Sequence, residues 1–256
     1  MPTETALFLF AHQDDEYGVY ALLEDYRLRG VPVRCAYFTD GATGGVSAAT
    51  RNAESVAVLR ELGVPASHIA FAGEELGIPD AGLPRQIGAA ADWVRKWIDA
   101  AGPVAALHVP AWEGGHHDHD ALHALAVQVA HERGLIGRTT QYALYNGARI
   151  PHPFFRTLSP LPENGAVQGK RMSWKMRVRC MRFCLSYPSQ RKTWIGLFPF
   201  AFWFYVTRGV QELQTVSLAR THQRPHQGAL YYELRKFFTW DEMERCLRAW
   251  RSGLPG

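Results

Sequence analysis

The strongest constraint on the fold is an alternation, through the first 145 residues, of short apolar runs with longer segments of helical spacing. The apolar runs predict buried strands at residues 6–11, 33–39, 68–72, 104–109 and 141–145. The segments between them predict helices at residues 17–29, 50–62, 84–100 and 120–133. Strands that are apolar on both sides and separated by helices predict a Rossmann-like α/β fold, with a mostly parallel sheet and helices on both faces.

The alternation ends near residue 150, where prolines become frequent. We therefore predict a catalytic α/β core over residues 1–150 and a C-terminal extension over 151–256 that completes the domain. Residues 231–250 are expected to form a strand or extended piece and then a helix beginning near Asp241. No G-x-G-x-x-G sequence follows the first strand, so a dinucleotide site is not expected.

Charge is unevenly distributed between these parts. Residues 164–211 hold nine of the 28 basic residues and no acid, so 19 basic residues face 24 acidic ones elsewhere. We call 164–211 the basic/aromatic insertion, because an aromatic run, TWIGLFPFAFWFYVT, occupies its residues 193–207. The run is shorter than the roughly 20 apolar residues of a membrane-spanning helix. It is expected to be either core or subunit interface, or a contact with the headgroup region of a membrane.

The remaining bulk properties bear on location and partners. No basic segment precedes the first apolar run, so a signal peptide is not expected, and four scattered cysteines are typical of reduced thiols. We expect a cytoplasmic protein, peripheral at the inner membrane face if the insertion binds lipid. Nucleic acid is not expected as a partner, because no nucleic-acid motif is present and the chain is acidic outside the insertion. The oligomeric state stays open.

Three polar clusters follow predicted strands directly: HQDDE at 12–16, TDG at 39–41 and EGGHHDHD at 113–120. Ligand sites of parallel sheets lie at the carboxyl ends of the strands, so the clusters are expected to converge. Each cluster alone has an ordinary explanation, since acids before a helix are usually caps. Their shared placement favours a metal site over that explanation.

Imidazole and carboxylate are nitrogen and oxygen ligands that suit Zn²⁺, and a catalytic zinc takes three of them and leaves a position for water. His12, one Asp of the first cluster and one His of the third would supply them. The other Asp would then take the proton of the water, and a free His would stabilise the oxyanion or protonate the leaving group. Iron(II) is compatible with the same ligands.

AHQDDE at 11–16 and HHDH at 116–119 resemble two signatures of the PIG-L/LmbE-like N-deacetylases, A-H-x-D-D-E and H-x-D-H. FTDG at 38–41, with Arg51, Glu54 and LG at 62–63, resembles a further stretch of that family. The resemblance covers roughly residues 5–145. It implies a zinc-dependent amide hydrolase that removes an acyl group, usually acetyl, from an N-acylated amino sugar.

Carried over by motif position, the resemblance implies that His12, Asp15 and His119 are the metal ligands. It makes Asp14 the general base and later the acid to the amine. It places His116 at the oxyanion, as a cationic or hydrogen-bonding group.

Further residues complete the expected site. The resemblance implies that Arg51 contacts the sugar-bearing substrate, and we add Asp40 and His226 as candidate substrate contacts. Asp118 is expected to act beside the two histidines of its motif by orienting one of them. Glu16 is either a support of the site or an acid at the start of a helix.

The chain departs from the family pattern at two places. His117 stands where the family usually has Pro, and Gly114 stands where some relatives carry a Tyr that assists the intermediate. The first departure adds a third histidine as a competing ligand, and the second requires another group to take the role of the Tyr.

The predicted substrate is an N-acetylhexosamine compound: a free amino sugar, a glycoconjugate or a lipid-linked sugar. Two alternatives stay open. One is a metal-dependent amidase of another N-acyl or thiol-sugar conjugate, because the metal site would be the same and the pocket walls decide. The other is a membrane-surface binding protein with a structural metal site.

Overall fold

The computed structural model describes residues 4–253. Its strands are β1 (Thr5–Phe10), β2 (Val33–Tyr37), β3 (Ile69–Phe71), β4 (Val104–Pro110), β5 (Thr139–Tyr142), β6 (Tyr145–Asn146), β7 (Arg156–Thr157), β8 (Val167–Arg171) and β9 (Val210–Thr215). Its α-helices are α1 (Tyr20–Leu28), α2 (Ala48–Glu61), α3 (Ala72–Leu76), α4 (Ile87–Ala101), α5 (His117–Glu132), α6 (Trp174–Cys184), α7 (Arg191–Thr207), α8 (Tyr231–Leu234) and α9 (Trp240–Arg251).

Seven of these strands form one sheet in the order β3-β2-β1-β4-β5-β9-β8. The strands from β3 to β5 pair in parallel, and β9 and β8 are added in antiparallel orientation. The chain moves outward from β1 to β3 on one side and then returns to place β4 on the other side of β1. The order of the strands therefore reverses between β1 and β4, where ligand sites of such sheets form.

The side chains of β1 show why the sheet is covered on both faces. Leu7 and Leu9 belong to a core that α4, α5 and α9 complete, whereas Phe8 and Phe10 belong to a second core under α1, α2, α6 and α7. Successive side chains of a strand point to opposite faces, so a strand buried on both sides must be apolar throughout. The predicted fold class is confirmed.

Several predicted boundaries are wrong by a few residues, for local reasons. α1 begins at Tyr20 rather than residue 17, because Asp15–Gly18 form a separate 3-10 turn. α5 begins at His117 rather than residue 120, because the ring of His116 accepts a hydrogen bond from the N–H of Asp118 and caps the helix. This earlier start places three residues of the HHDH motif, His117 to His119, in the first turn of the helix, with His116 as its N-cap.

The region after residue 150 is integrated into the domain. β8 and β9 continue the sheet, and α6 and α7 cover part of one face, so the basic/aromatic insertion forms a strand, two helices and the start of β9. The boundary at residue 150 stays a prediction. The expected strand near residue 231 is wrong: Tyr231–Leu234 is a short helix, with the carboxylate of Glu233 accepting from the N–H of Leu230.

The aromatic run of the insertion forms helix α7, which contains Pro199. Its buried side chains include Trp194, Leu197 and Phe204, which belong to the second core. Its opposite side is exposed, with Ile195 and Trp203 each 68% accessible. Within residues 4–253, none of the helices is both long enough and apolar enough to cross a membrane.

Candidate active site

The polar clusters meet at the reversal of strand order between β1 and β4. His12 and Asp15 follow β1, and His119 lies in the first turn of α5, shortly after β4. All three side chains are buried, with exposures of 8%, 3% and 1%. Burying imidazole and carboxylate groups costs free energy unless they are paired, hydrogen-bonded or bound to a metal ion.

The ligand atoms of these three residues converge. Nδ1 of His12 lies 3.2 Å from Nε2 of His119, and Oδ1 of Asp15 lies 3.1 Å from the same Nε2. Oδ2 of Asp15 lies 3.7 Å from Nδ1 of His12. Donors bound about 2.0–2.1 Å from a tetrahedral zinc ion lie ~3.3 Å apart. The three residues therefore fit one Zn²⁺, and we call them the three-donor cluster.

Backbone contacts fix the carboxylate of Asp15. Its Oδ2 accepts hydrogen bonds from the N–H of Ala11 (2.9 Å) and of His12 (2.8 Å). Burial alone would raise the pKa of Asp15, but the imidazoles of His119 and His12 hold it well below its usual value. Asp15 is therefore ionised, as a metal ligand must be.

Asp118 orients the ring of His12. Its Oδ2 lies 3.0 Å from Nε2 of His12 and also accepts from the N–H of Ala81 at 2.8 Å, and its Oδ1 accepts from the N–H of Leu83 at 3.1 Å. A carboxylate only accepts, so Nε2 of His12 is the donor and Nδ1 points to the cluster. This is the arrangement in which a carboxylate holds a metal-binding histidine.

The cluster attracts positive charge. Burial would lower the pKa of His12, yet contacts with Asp118, Asp15 and Asp80 hold it well above its usual value. A bound metal cation would neutralise these carboxylates in place of the proton on the imidazole of His12.

Asp14 stands beside the cluster and outside it. Its φ is +125°, a strained conformation for a residue other than glycine, and its N–H donates to Oε2 of Glu16 at 2.8 Å. The other carboxylate oxygen of Glu16 accepts from the hydroxyl of Tyr37. Glu16 lies in a 3-10 turn and supports the backbone of Asp14.

The protonation of Asp14 depends on its surroundings. Burial raises the pKa of Asp14 to about 8, with Arg51 acting in the opposite direction and Asp15 in the same direction. A carboxyl group with such a pKa is suited to take up and release a proton near neutral pH.

Arg51 is 2% exposed and connects the loops around the site. Its guanidinium donates to the carbonyl oxygens of Gln13 (2.6 Å) and Gly41 (2.9 Å) and lies 3.4 Å from Oδ1 of Asp14. In this conformation Arg51 holds Asp14 from the wall of the site. Its contact with substrate stays a prediction.

His116 has one ring nitrogen available to the site. Its Nδ1 accepts from the N–H of Asp118 at 3.2 Å, so the proton of a neutral ring sits on Nε2. Burial, with His12 nearby, lowers the pKa of His116 well below its usual value. His116 is therefore a neutral hydrogen-bond donor, 4.6 Å from the ring of His12 between centroids.

A second group of possible ligand atoms joins His12, Asp80, His116 and Asp118. Its donors are already engaged: Asp118 accepts from two backbone N–H groups, and Nδ1 of His116 caps α5. In the three-donor cluster both backbone N–H groups donate to Oδ2 of Asp15 and leave its Oδ1 available, whereas both oxygens of Asp118 are engaged. The three-donor cluster is the better metal site, because the Nδ1 of His12 and the Nε2 of His119 also have no backbone partner there.

His117, the additional histidine of the motif, belongs to neither group. Its ring stacks on Phe238 with centroids 4.8 Å apart, and its Nε2 lies 3.2 Å from the carbonyl oxygen of Ala81. It packs under the loop that carries Asp80.

The structure places the two added substrate candidates at the periphery. Oδ1 of Asp40 accepts from the N–H of Ala42 (2.9 Å) and of Asp80 (3.2 Å), so it shapes a loop. His226 is 5% exposed and lines a cavity of about 590 Å³ beside Gly114 rather than the three-donor cluster. Both roles stay predictions.

Two residues that the sequence did not point to also reach the site. Oδ1 of Asp80 lies 3.3 Å from Nε2 of His12, and its Oδ2 lies 3.6 Å from Arg51. The ring of Tyr145 stands edge-on to that of His119, with centroids 5.6 Å apart. Burial, followed by the carboxylates of Asp15 and Asp14, raises the pKa of its phenol well above the usual value, so the phenol keeps its proton.

The approach of Tyr145 depends on a glycine. A Cβ added at Gly115 would lie 1.9 Å from the carbonyl oxygen of Tyr145, so no side chain fits there. The carboxylate of Glu113 accepts from the N–H groups of Leu144 (2.7 Å) and Tyr145 (2.9 Å) and joins the two segments. The only signals in the sequence were an acid in the loop after α3 and a Tyr three residues after the end of β5.

The fold and the site together define a class: an α/β protein with a candidate His/Asp metal site at the reversal of strand order. Residues 7–130 match the family model of PIG-L, described as GlcNAc-PI de-N-acetylase. Over these 124 of its 256 residues the chain is similar to the PIG-L family, which confirms the predicted resemblance and agrees with the predicted N-deacetylase class. Among curated proteins, none matches the sequence significantly.

Solved structures share the fold. The zinc-inhibited form of teicoplanin deacetylase Orf2 is 18% identical, with a TM-score of 0.60, covering 78% of this chain and 90% of that one. The A40926 pseudoaglycone deacetylase Dbv21 is 17% identical, with a TM-score of 0.62, covering 88% and 100%. The N,N'-diacetylchitobiose deacetylase of Pyrococcus horikoshii is 17% identical, with a TM-score of 0.60, covering 88% of each chain.

Proposed function

We propose that this protein is a zinc-dependent N-deacetylase that hydrolyses the N-acetyl amide of an amino sugar. The observation that carries the proposal is the convergence of His12, Asp15 and His119 with Asp14 beside them and outside their cluster. The match to the GlcNAc-PI de-N-acetylase family model supports it, as does the similarity to deacetylases of teicoplanin, of the A40926 pseudoaglycone and of N,N'-diacetylchitobiose.

The number of donors favours a catalytic metal over a structural one. Structural zinc sites are closed by four protein ligands, whereas catalytic sites have three and an open position. Among the described residues, the cluster around Nδ1 of His12 contains three. When bound there, Zn²⁺ or Fe²⁺ would lower the pKa of a water molecule and polarise the amide carbonyl.

The residues of the chain supply the proton transfers. Asp14 takes a proton from the attacking water and returns it to the departing nitrogen. The amide C–N bond breaks, the oxygen of the water stays on the acyl carbon as acetate, and the sugar leaves as an amine. The Nε2–H of His116 donates to the oxyanion that forms between these steps, and a neutral imidazole is sufficient for that donation.

The walls of the site favour a sugar attached to an apolar group. Phe155 lies beside Tyr145, with centroids 6.0 Å apart, and beside Phe200 of α7 at 4.5 Å. Phe237, 55% exposed, lies 6.3 Å from the ring of His116. We propose that the polar loops bind the amino sugar and that this aromatic side accepts a lipid or other apolar aglycone.

The state of the cysteines supports a cytoplasmic location. Cys35, Cys180 and Cys184 are buried, and neither they nor Cys246 form a disulfide bond. Reduced thiols are usual in the cytoplasm.

Acetate release tests the function. Zinc-loaded protein is expected to free acetate from at least one of a panel of free, nucleotide-linked and lipid-linked N-acetylglucosamine compounds. An N-propionyl analogue of the best substrate measures acyl selectivity. The absence of acetate from the whole panel, with stoichiometric metal bound, would rule out the proposed substrate class.

A further inference from the structure

Helices α6 and α7 each expose an apolar stripe away from the body of the protein. On α7 the exposed positions recur at helical spacing and include Ile195, Phe202 and Trp203. On α6 and its C-terminal end they include Trp174, Val178 and Leu185, which are 61%, 59% and 64% exposed. Single exposed apolar residues are ordinary, but two aligned stripes with two tryptophans mark an interaction surface.

The two stripes lie on one side of the molecule. The opposite sides of both helices pack into the same core, through Phe183 on α6 and Leu197 and Phe204 on α7. The guanidinium of Arg177, near the start of α6, donates to the carbonyl oxygen of Tyr205, near the end of α7. The helices therefore pack antiparallel and side by side, and we call their shared outer surface the α6–α7 face.

Of the nine cations of the insertion, Arg177 is buried and donates to backbone carbonyl oxygens, and the other eight divide into two groups. Four cations of the insertion pair with acids of the body or of β9: Lys170, Arg179, Arg182 and Arg208. Four others have no carboxylate partner among residues 4–253 and are exposed: Arg171, Lys175, Arg191 and Lys192. Lys175 follows Trp174 on α6, and Lys192 lies one turn before Ile195 on α7.

The unpaired cations of the α6–α7 face indicate what kind of partner binds there. A second copy of the same face would bring two sets of cations together with no acid from the insertion to neutralise them, so self-association is disfavoured. Tryptophan and aliphatic side chains between lysines and arginines are the composition of helices that lie in the headgroup region of a bilayer.

We propose that the α6–α7 face docks on the surface of an anionic lipid bilayer. The apolar side chains enter the headgroup region while the unpaired cations contact lipid phosphates.

Helix α7 also reaches the candidate active site, through side chains on its inner side. Phe200 contacts Phe155, which contacts Tyr145, whose ring adjoins His119. If the proposed deacetylase function holds, docking places the entrance of the site next to the lipid surface. Binding to lipid itself does not depend on that function.

Sedimentation with vesicles tests the docking. The wild-type protein is expected to sediment with vesicles of phosphatidylcholine and phosphatidylglycerol, and much less with phosphatidylcholine alone. Lys175→Glu combined with Lys192→Glu should lower the partition coefficient by at least about 25-fold, because losing each cation costs roughly fivefold and each new carboxylate is repelled by the anionic lipid. Ile195→Ser combined with Trp203→Ser should lower it by at least about tenfold.

Two control variants make the same kinds of substitution at exposed positions outside the α6–α7 face. Lys96→Glu reverses an exposed charge on α4, on the other face of the sheet, and Leu28→Ser removes a side chain that is 69% exposed on α1. Both should bind vesicles as the wild type does. Because the readout is sedimentation, its result is independent of whether acetate is released.

Several results would overturn the proposal. These are a wild-type protein that stays in the supernatant with anionic vesicles, face variants that bind as well as the wild type, and equal binding with and without phosphatidylglycerol. A dimer in solution that Trp203→Ser dissociates, without vesicle binding, would assign the face to self-association. Binding to polyglutamate but not to vesicles would assign it to an acidic protein.

Discussion

The Nε2 atom of His12 lies 3.0 Å from Oδ2 of Asp118, a carboxylate that two backbone N–H groups hold in place. This contact decides which nitrogen of His12 faces the three-donor cluster. In Asp118→Asn, the side-chain amide would contact the same nitrogen and could donate to it. We expect zinc affinity to fall about 10–100-fold, as measured by competition with a chromophoric chelator.

Asp99→Asn is a matched control for this change, because Asp99 pairs with Arg133 on the surface. Its zinc affinity should equal that of the wild type. Unchanged affinity in Asp118→Asn would contradict the orienting role of Asp118.

Asp14 should be needed for turnover and not for metal binding. Asn keeps the shape of the side chain and is among the residues that most readily adopt a positive φ, so Asp14→Asn is expected to fold. Its kcat should fall by about 10²–10⁴-fold, because the proton of the water loses its acceptor. Metal content and acetate release are measured on the same sample, and full turnover or loss of metal would each contradict the assignment.

Tyr145 is expected to donate its phenolic O–H to negative charge that develops during the reaction. Tyr145→Phe removes the hydroxyl and keeps the ring beside His119. We expect kcat to fall about 10–100-fold with little change in KM, since a hydrogen bond to a charged group contributes about 1.5–3 kcal/mol. A change in KM alone would show that Tyr145 only lines the pocket.

His108 should make stability depend on pH, independently of the metal site. Burial lowers the pKa of His108 to about 3, and its ring nitrogens contact the hydroxyls of Tyr26 (2.8 Å) and Thr140 (2.7 Å). Below about pH 6.5 the unfolded chain takes up a proton that folded His108 does not. The free energy of unfolding should therefore fall as pH decreases from 6.5 toward 3, by up to about 1.4 kcal/mol per pH unit.

Denaturant unfolding of the metal-free protein between pH 6 and pH 4 checks this, with His108→Gln as the variant. In His108→Gln, the slope of the unfolding free energy against pH should decrease by about 1.4 kcal/mol per pH unit, which corresponds to the uptake of one proton fewer on unfolding. His131→Gln, at an exposed position, controls for the number of histidines. Equal slopes in wild type and His108→Gln would contradict the prediction.

The parallel half of the fold could be read from the sequence because burial on both faces leaves a strong local pattern. β1 is apolar at every position from Ala6 to Phe10 and is fully buried there. β8 has the sequence VQGKR and is exposed throughout, so no periodicity marks it. Its strand conformation comes from pairing with β9, a contact between residues about 40 positions apart.

The candidate site was predictable where the chemistry lies within a few residues of a strand end. His12 to Asp15 and His116 to His119 are such segments, and their order along the chain matched a family. Asp80 and Tyr145 reach the site from other loops. Their approach depends on tertiary contacts, such as that between Gly115 and the backbone of Tyr145, which no local pattern encodes.

The most direct test of the central claim is the zinc bound per chain in His119→Ala and in Asp80→Ala. His119 belongs only to the cluster around Nδ1 of His12, and Asp80 only to the group around Nε2. We predict that Asp80→Ala retains one equivalent of zinc after dialysis and that His119→Ala loses it together with acetate release. Retention of zinc and turnover by His119→Ala, with loss of zinc by Asp80→Ala, would contradict the account.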